Sequence, residues 1–379
     1  MRLLFVSHSF PPPDEPSSNL GGMQRVATDL HAALLRSDSV SLSSQLLETT
    51  WASTHRRIPR FLFSTFLRLR RDIKSGTVDA VLFSSMVTAM LTLLTSRRAR
   101  RDGVLLAAIV HGLDVTTPVS PYQWLVRKVF KRIDLVFPVS SATARACVDR
   151  GLDPDRCSVV PNGISEDRFG SQIERAAARQ ILLEKLDTIK SPDPIVLCSV
   201  GRQVRRKGFD WFIRNVMPLL PEHVHYVLAG DGPEAATIAD AATEAGIEHR
   251  THMLGRVSED DLQVLYAASD LFIMPNIHVP GDMEGFGVVM LEAALANLPV
   301  IAANIEGIAD VIDHGQNGLL IESQNVEAFA NAITSLLLQP DELASLSSRS
   351  KTSVLERFSW SNVAGQYVEI ISERINSLR

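Results

Sequence analysis

Along this chain the apolar residues gather in short unbroken runs, separated by segments whose apolar positions repeat at helical spacing. Runs at 2–7, 78–83, 104–110 and 134–141 read as strands, the last passing into a helix. A shorter strand at 159–164 ends in the turn Pro161-Asn162-Gly163. Unbroken apolar runs suit parallel strands covered on both faces. After a linker and one helix over 173–186, closed by Ser191-Pro192-Asp193-Pro194, strands begin afresh at 195–200, 224–229, 252–257, 271–275 and 299–303. A second series of strands alternating with helices predicts a second domain, and a pair of helices ends the chain. At 379 residues the chain is also too long for one ordinary core.

The heaviest punctuation falls at Pro280, Gly281, Gly285 and Gly287, which predict a loop. From Val288 the pattern becomes a helix of small and apolar residues that carries one carboxylate, Glu292. An unpaired carboxylate on such a helix would cost several kcal/mol if buried. Glu292 therefore either faces a cavity that takes a polar ligand or belongs to a buried ion pair. Glu284 stands eight residues earlier, before the glycine turn. Two carboxylates flanking a helix N-terminus suit a polyhydroxylated ligand that also carries negative charge.

Composition is that of a globular protein, 45% hydrophobic and 21% charged, without an apolar run near the roughly 18 residues that span a bilayer. The first seven residues read as a buried strand and not as a signal peptide. Three cysteines, at 147, 157 and 198, have no metal-ligand spacing and point to a reducing cytoplasm. The net charge of −5 hides an asymmetry: residues 1–170 carry 22 Lys+Arg and 15 Asp+Glu, leaving 16 and 28 for the remainder. The basic half contains a segment over 56–74 that mixes seven Arg and Lys with apolar residues at helical spacing, and a second cluster at Arg97, Arg98, Arg100 and Arg101. Such a segment either lies on an anionic membrane surface or covers the sheet with its apolar face while its arginines are solvated. No feature suggests a nucleic-acid partner.

Other candidates sit where strands end. Gly21-Gly22 opens a helix running through Leu34-Leu35, a geometry that holds a phosphate on backbone N–H groups or is simple turn chemistry. His111 follows the strand at 104–110, where ligands of open α/β sheets gather, or is a histidine satisfied by nearby backbone. Gly201-Arg202 with Lys207-Gly208 follows the first strand of the second series, and Asp231 lies in a Gly-Asp-Gly turn, where Asp is more often a turn residue than a ligand.

Taken in order, Val160-Pro161-Asn162-Gly163, Gly201-Arg202 with Lys207-Gly208, Gly230-Asp231-Gly232-Pro233-Glu234, and Glu284-Gly285-Phe286-Gly287 with Glu292 resemble the family 4 glycosyltransferases. The likeness covers most of residues 155–325, and the N-terminal half more loosely through Gly21-Gly22 and His111-Gly112. It implies two Rossmann-like doubly wound domains facing a cleft, the GT-B fold. The first would span 1–167 with 361–379 crossing back onto it, and the second 168–360. The implied activity is retaining transfer of a hexose from a UDP- or GDP-linked donor to a saccharide or lipid-linked acceptor, as in building cell-envelope polysaccharide. Three alternatives stay open: a synthase acting on a soluble sugar phosphate, a sugar-nucleotide epimerase, and a non-catalytic nucleotide-sugar-binding protein. The setting would be cytoplasmic, with the basic half facing the inner surface of the membrane as a peripheral protein.

The resemblance also assigns roles. Arg202 and Lys207 match the diphosphate clamp, Glu284 the donor-sugar contact, and Glu292 the ribose contact. Phe286 and Gly287 would offer backbone N–H groups, Gly21 and Gly22 would reach the β-phosphate, and Arg256 and Val257 would line the base pocket. His111 would approach the anomeric carbon. Two cations then stabilise the departing diphosphate, and neither a cofactor nor a divalent metal is expected. Two departures stand out. The loop over 276–283 is longer than the common version, and Ile305-Glu306-Gly307-Ile308-Ala309-Asp310 lacks the usual second glycine and the proline.

Overall fold

The structure is a computed structural model that describes residues 1–12, 22–169, 173–186, 189, 191 and 193–378. It divides into two compact units, Met1–Ser165 with Phe358–Arg379, and Glu166–Arg357. These borders lie two or three residues from those drawn on the sequence.

In the first unit, β1 (Arg2–Phe10), β2 (Ser41–Glu48), β3 (Ala80–Phe83), β4 (Leu105–Val110) and β5 (Leu135–Pro138) form a parallel sheet in the order β2-β1-β3-β4-β5. Strands β3, β4 and β5 are buried along their whole length, which is why they read as unbroken apolar runs. Strand β2 escaped the sequence reading. It is an edge strand, Ser-Leu-Ser-Ser-Gln-Leu-Leu-Glu, half-buried along its middle, and its hydroxyls break the apolar pattern. The strand expected over 159–164 is also absent. The segment touches β5 through Val160 N–H, which donates to the Pro138 carbonyl (3.0 Å), and Ile164 bridges to Ser359 of the returning C-terminal chain, so no ladder forms. That return is fixed by Ile164 N–H donating to the Phe358 carbonyl (2.7 Å) and by Tyr367 against Phe137, ring centroids 4.8 Å apart.

The basic segment is part of the helix Trp51–Ser75. Phe61, Leu69 and Ile73 face the core, while Phe63 (64% exposed) and Leu67 (51%) stand in solvent among Arg56, Arg57, Arg60, Arg70, Arg71 and Lys74. The apolar face covers the sheet as one reading required, yet a second, exposed strip is itself both apolar and basic. No described helix is long and apolar enough to cross a membrane.

In the second unit, β6 (Ile195–Val200), β7 (Val224–Ala229), β8 (Thr251–Gly255), β9 (Leu271–Met274), β10 (Val300–Asn304) and β11 (Leu319–Glu322) form a parallel sheet in the order β11-β10-β9-β6-β7-β8. The strand order reverses between β6 and β9, so chain leaving these neighbours diverges and opens a crevice at their carboxyl ends. In the first unit the reversal lies between β1 and β3. Strand β11 was missed as β2 was: it is a four-residue edge strand.

Two histidines, His225 on β7 and His252 on β8, are buried against one another, Nδ1 to Nε2 at 3.1 Å. Burial, then His225 and His249, depress His252 to about 4, and burial first depresses His225. Both are therefore neutral in the fold while the unfolded chain takes up protons near 6.5. Stability is full above that pH and is lost as pH falls from about 6.5 towards 4. The urea midpoint should fall over this window, and His252→Gln should flatten the fall; an unchanged slope would remove the pair as its source.

Candidate active site

The crevice of the second unit is built by the chain leaving β6 and β9. After β6 the backbone passes Gly201 and Arg202 into a short 3-10 turn, Arg205–Lys207, ended by Gly208 at φ +64°. A Cβ on Gly208 would lie 2.2 Å from the Pro275 carbonyl oxygen, so the turn presses directly on the segment leaving β9. Ile277 N–H donates to the Arg206 carbonyl (2.9 Å) across the same contact. On the other side, a Cβ on Gly230 would meet the Gly201 carbonyl oxygen at 2.0 Å. The Gly-Asp-Gly turn after β7 thus packs on the Gly201 strand exit.

This packing carries Lys207 to Glu284. Lys207 Nζ lies 2.6 Å from Glu284 Oε2, both side chains nearly excluded from water. Asn276 Nδ2 donates to the same oxygen (3.2 Å), and Arg206 Nε is 3.5 Å from it. All three contacts fall on Oε2, and Oε1 has no partner among the described residues. Burial pushes the Glu284 carboxyl up, but Lys207 and Arg206, with hydrogen bonds from Lys207 and Asn276, outweigh it and leave it below the ordinary carboxylate range. The group is an anion with one oxygen clamped and one available. Arg206 is further held by Asp282 (2.9 Å), on the long loop.

The other residues named from sequence are dispersed around this pair. Arg202 is exposed and has no ion-pair partner among the described residues. Phe286 is buried, and Gly287, at φ +86°, starts the helix Val288–Leu295. Arg256 and Val257 follow β8, with Arg256 Nε 3.0 Å from Asp231 Oδ2 in an exposed pair. Glu292 is 2% exposed, its Oε1 2.7 Å from Arg168 Nη1 and its Oε2 accepting from the Tyr266 hydroxyl (2.9 Å). Of the two readings left open for Glu292, this geometry is that of the buried ion pair.

In the first unit His111 follows β4. Its Nε2 lies 2.9 Å from the Ser84 carbonyl oxygen and must donate to it, so that in the neutral ring Nδ1 is an acceptor. His111 N–H donates to Asp114 Oδ1 (2.8 Å), whose other oxygen accepts from Met86 N–H (3.3 Å). Burial raises the Asp114 carboxyl, against the opposing pull of His111. His8, at the end of β1, is buried with Nδ1 3.2 Å from Ser85 Oγ, and burial, then His111, depresses it to about 4. Gly22 is the first residue of the helix Gly22–Leu35, and Gly21 lies outside the described residues.

Sequence reasoning missed Asn276, Arg206, Glu306, Arg168 and Tyr266 in the second unit, and His8, Ser85 and Asp114 in the first. The strand-end rule that selected His111 would also have selected His8 and Ser85. Arg168 and Tyr266 are remote from Glu292 in sequence and leave no local signal.

Cations after one switch-point strand and an ionised carboxylate after its neighbour stand at the carboxyl ends of a Rossmann-like sheet, where ligands of such sheets gather. The chain matches the family model "Glycosyl transferases group 1" over residues 184–353 and "Glycosyltransferase Family 4" over 20–168. It belongs to family 4 of the glycosyltransferases, and is a nucleotide-sugar-dependent transferase of the GT-B fold. It is 29% identical over 314 residues to a GDP-mannose-dependent alpha-(1-6)-phosphatidylinositol monomannoside mannosyltransferase of Mycobacterium tuberculosis, covering 80% of this chain and 78% of that one. Over 228 residues it is 34% identical to a D-inositol 3-phosphate glycosyltransferase of Rhodococcus jostii, 58% of this chain and 48% of that one. Among solved structures it resembles Anabaena Alr3699/HepE in complex with UDP, with a TM-score of 0.74 at 19% identity over 98% of this chain and 100% of that one. At that identity the likeness shows the fold.

Replacing Gly208 with Ala forces a side chain into the left-handed region and against the Pro275 carbonyl. A stability loss of about 2 kcal/mol or more should follow, read as a lower urea midpoint.

Proposed function

We propose that the chain transfers a hexose, with net retention at the anomeric carbon, from a UDP- or GDP-linked donor to a saccharide or lipid-linked acceptor, without a divalent cation. The observation that carries this reading is the Lys207–Glu284 pair at the carboxyl ends of β6 and β9. A departing diphosphate needs fixed positive charge, and Lys207, with the exposed Arg202 on the same strand exit, supplies it. Glu284 Oε1 is the acceptor for a donor-sugar hydroxyl. Glu292, with Arg168 and Tyr266 already on its two oxygens, meets the ribose only as a further partner. His111 orients the sugar through its free Nδ1 and does not serve as the proton acceptor of the reaction. Departure of the diphosphate and attack of the acceptor on the same face of the sugar would give retention without a carboxylate nucleophile.

Lys207 and Arg202 would do for the diphosphate what a divalent cation otherwise does. Transfer should therefore survive EDTA, and loss of turnover that Mg²⁺ or Mn²⁺ restores would contradict the clamp. The Mycobacterium relative's name supports GDP-mannose as the first donor to test and a lipid glycoside as the acceptor class.

A thermal-shift panel of nucleotide sugars identifies the donor, since a ligand at 100 times its Kd adds about 2.7 kcal/mol. With that donor, Lys207→Ala and Glu284→Ala should each lower turnover by about 10²-fold or more, and product NMR should show the donor's anomeric configuration. Unchanged turnover in both variants would overturn the site.

The Rhodococcus relative's name favours a second reading, a soluble phosphorylated acceptor. The exposed strip of Phe63, Leu67 and arginines argues instead for a lipid acceptor met at an anionic surface. Flotation with phosphatidylglycerol vesicles should show binding that falls at high salt and in Phe63→Ser/Leu67→Ser. No binding at low salt would favour the soluble acceptor.

A further inference from the structure

Three non-glycine residues among those described have left-handed backbone: Asn297, Glu306 and Gln324. Asparagine tolerates that region, and Gln324 sits in an exposed turn. Glu306, at φ +50°, has neither excuse. It lies in the turn over 305–310 that lacks the second glycine usual in the family it resembles, and its side chain is largely buried. A disfavoured conformation persists where the surroundings over-determine it, and such positions concentrate at functional sites.

The surroundings of Glu306 are the main chain of Glu284. Glu306 Oε2 accepts the Glu284 N–H at 2.5 Å. The next residue, Gly307, donates its own N–H to the Glu284 carbonyl at 3.2 Å. The two hydrogen bonds grip the backbone on both sides of one α-carbon, the one that bears the carboxylate paired with Lys207. Glu306 Oε1 is 3.4 Å from His278 Nδ1, so the same carboxylate also reaches the long loop that precedes Glu284. A glycine at 306 would remove the strain and the grip together.

We infer that Glu306 is a positioning residue for hexose transfer: its carboxylate fixes the main chain at Glu284, so that Oε2 stays on Lys207 while Oε1 is presented to the donor sugar. The inference rests on Glu284 being the donor-sugar contact. The left-handed backbone at 306 is what lets a side chain from the turn after β10 reach the Glu284 amide.

The test compares Glu306→Gly with Glu306→Gln, whose amide oxygen can still accept from the Glu284 N–H. Glu306→Gly should melt at or above the wild-type temperature, because left-handed backbone suits glycine. Its Glu284 amide should nevertheless exchange with deuterium at least tenfold faster, and with GDP-mannose and UDP-glucose as probe donors its donor KM should rise about tenfold. Glu306→Gln should keep wild-type amide protection and stay within threefold in KM. A stability–binding opposition of this kind is foreign to a merely structural carboxylate. Unchanged Glu284 protection in Glu306→Gly, a clearly lower melting temperature for it, or equal losses in both variants would each overturn the inference. Glu284→Ala separates the two layers. If it leaves donor KM unaltered, the sugar-contact reading falls, whereas if it raises KM while Glu306→Gly does not, only the role of Glu306 falls.

Discussion

A lysine and a glutamate held 2.6 Å apart with little access to water depend on one another, because either alone would leave a desolvated charge worth several kcal/mol. Most of what is distinctive in the second unit follows from keeping Lys207 and Glu284 together. Gly208 has no side chain so that the Lys207 turn can reach the Pro275 carbonyl. Asn276 and Arg206 add to the same carboxylate oxygen, and residues 306 and 307 hold the Glu284 backbone. A hydrophobic pair would be as stable or more so. On the proposed function the ion pair serves a ligand: an arriving diphosphate would draw on the lysine, and a hydroxyl would take the second carboxylate oxygen.

Topology explains why these residues meet although 77 positions separate them. In a doubly wound sheet the two strands beside the reversal send their following loops in opposite directions, leaving room at their carboxyl ends. Strand β6 delivers the cations there, and β9 delivers Asn276 and the loop to Glu284. The first unit repeats the logic at β1 and β3, where a buried His8 meets Ser85 and His111 is fixed by Ser84 and Asp114.

The fold was legible wherever burial is two-sided. Interior strands such as β4 and β9 announce themselves as apolar runs, whereas the edge strands β2 and β11 do not, since an edge strand is covered incompletely and tolerates Ser, Gln or Glu. The segment over 159–164 was taken for a strand because Val160 and Ile164 are buried like strand residues, although it makes one hydrogen bond to β5 and one bridge to the returning C-terminal chain. Candidate site residues were legible where a glycine turn marks them, as at Lys207-Gly208 and Glu284-Gly285. Their partners were not. Nothing local distinguishes Arg168 or Tyr266 from any other arginine or buried tyrosine, and Glu292 looked like a ligand contact while both its oxygens already had partners. Glu306 looked like a defect in a familiar turn, and its meaning depends on a hydrogen bond across 22 residues.

The division of labour at the Lys207–Glu284 pair is open to one direct measurement: calorimetric titration of wild type and Glu284→Gln with a nucleoside diphosphate and with its hexose ester, GDP beside GDP-mannose and UDP beside UDP-glucose. The proposed assignment gives the phosphates to Lys207 and the sugar to Glu284, so Glu284→Gln should weaken the nucleotide sugar at least tenfold while the free diphosphate binds as tightly as to wild type or more tightly. Equal weakening of both ligands, or of neither, would contradict the assignment of the sugar to Glu284.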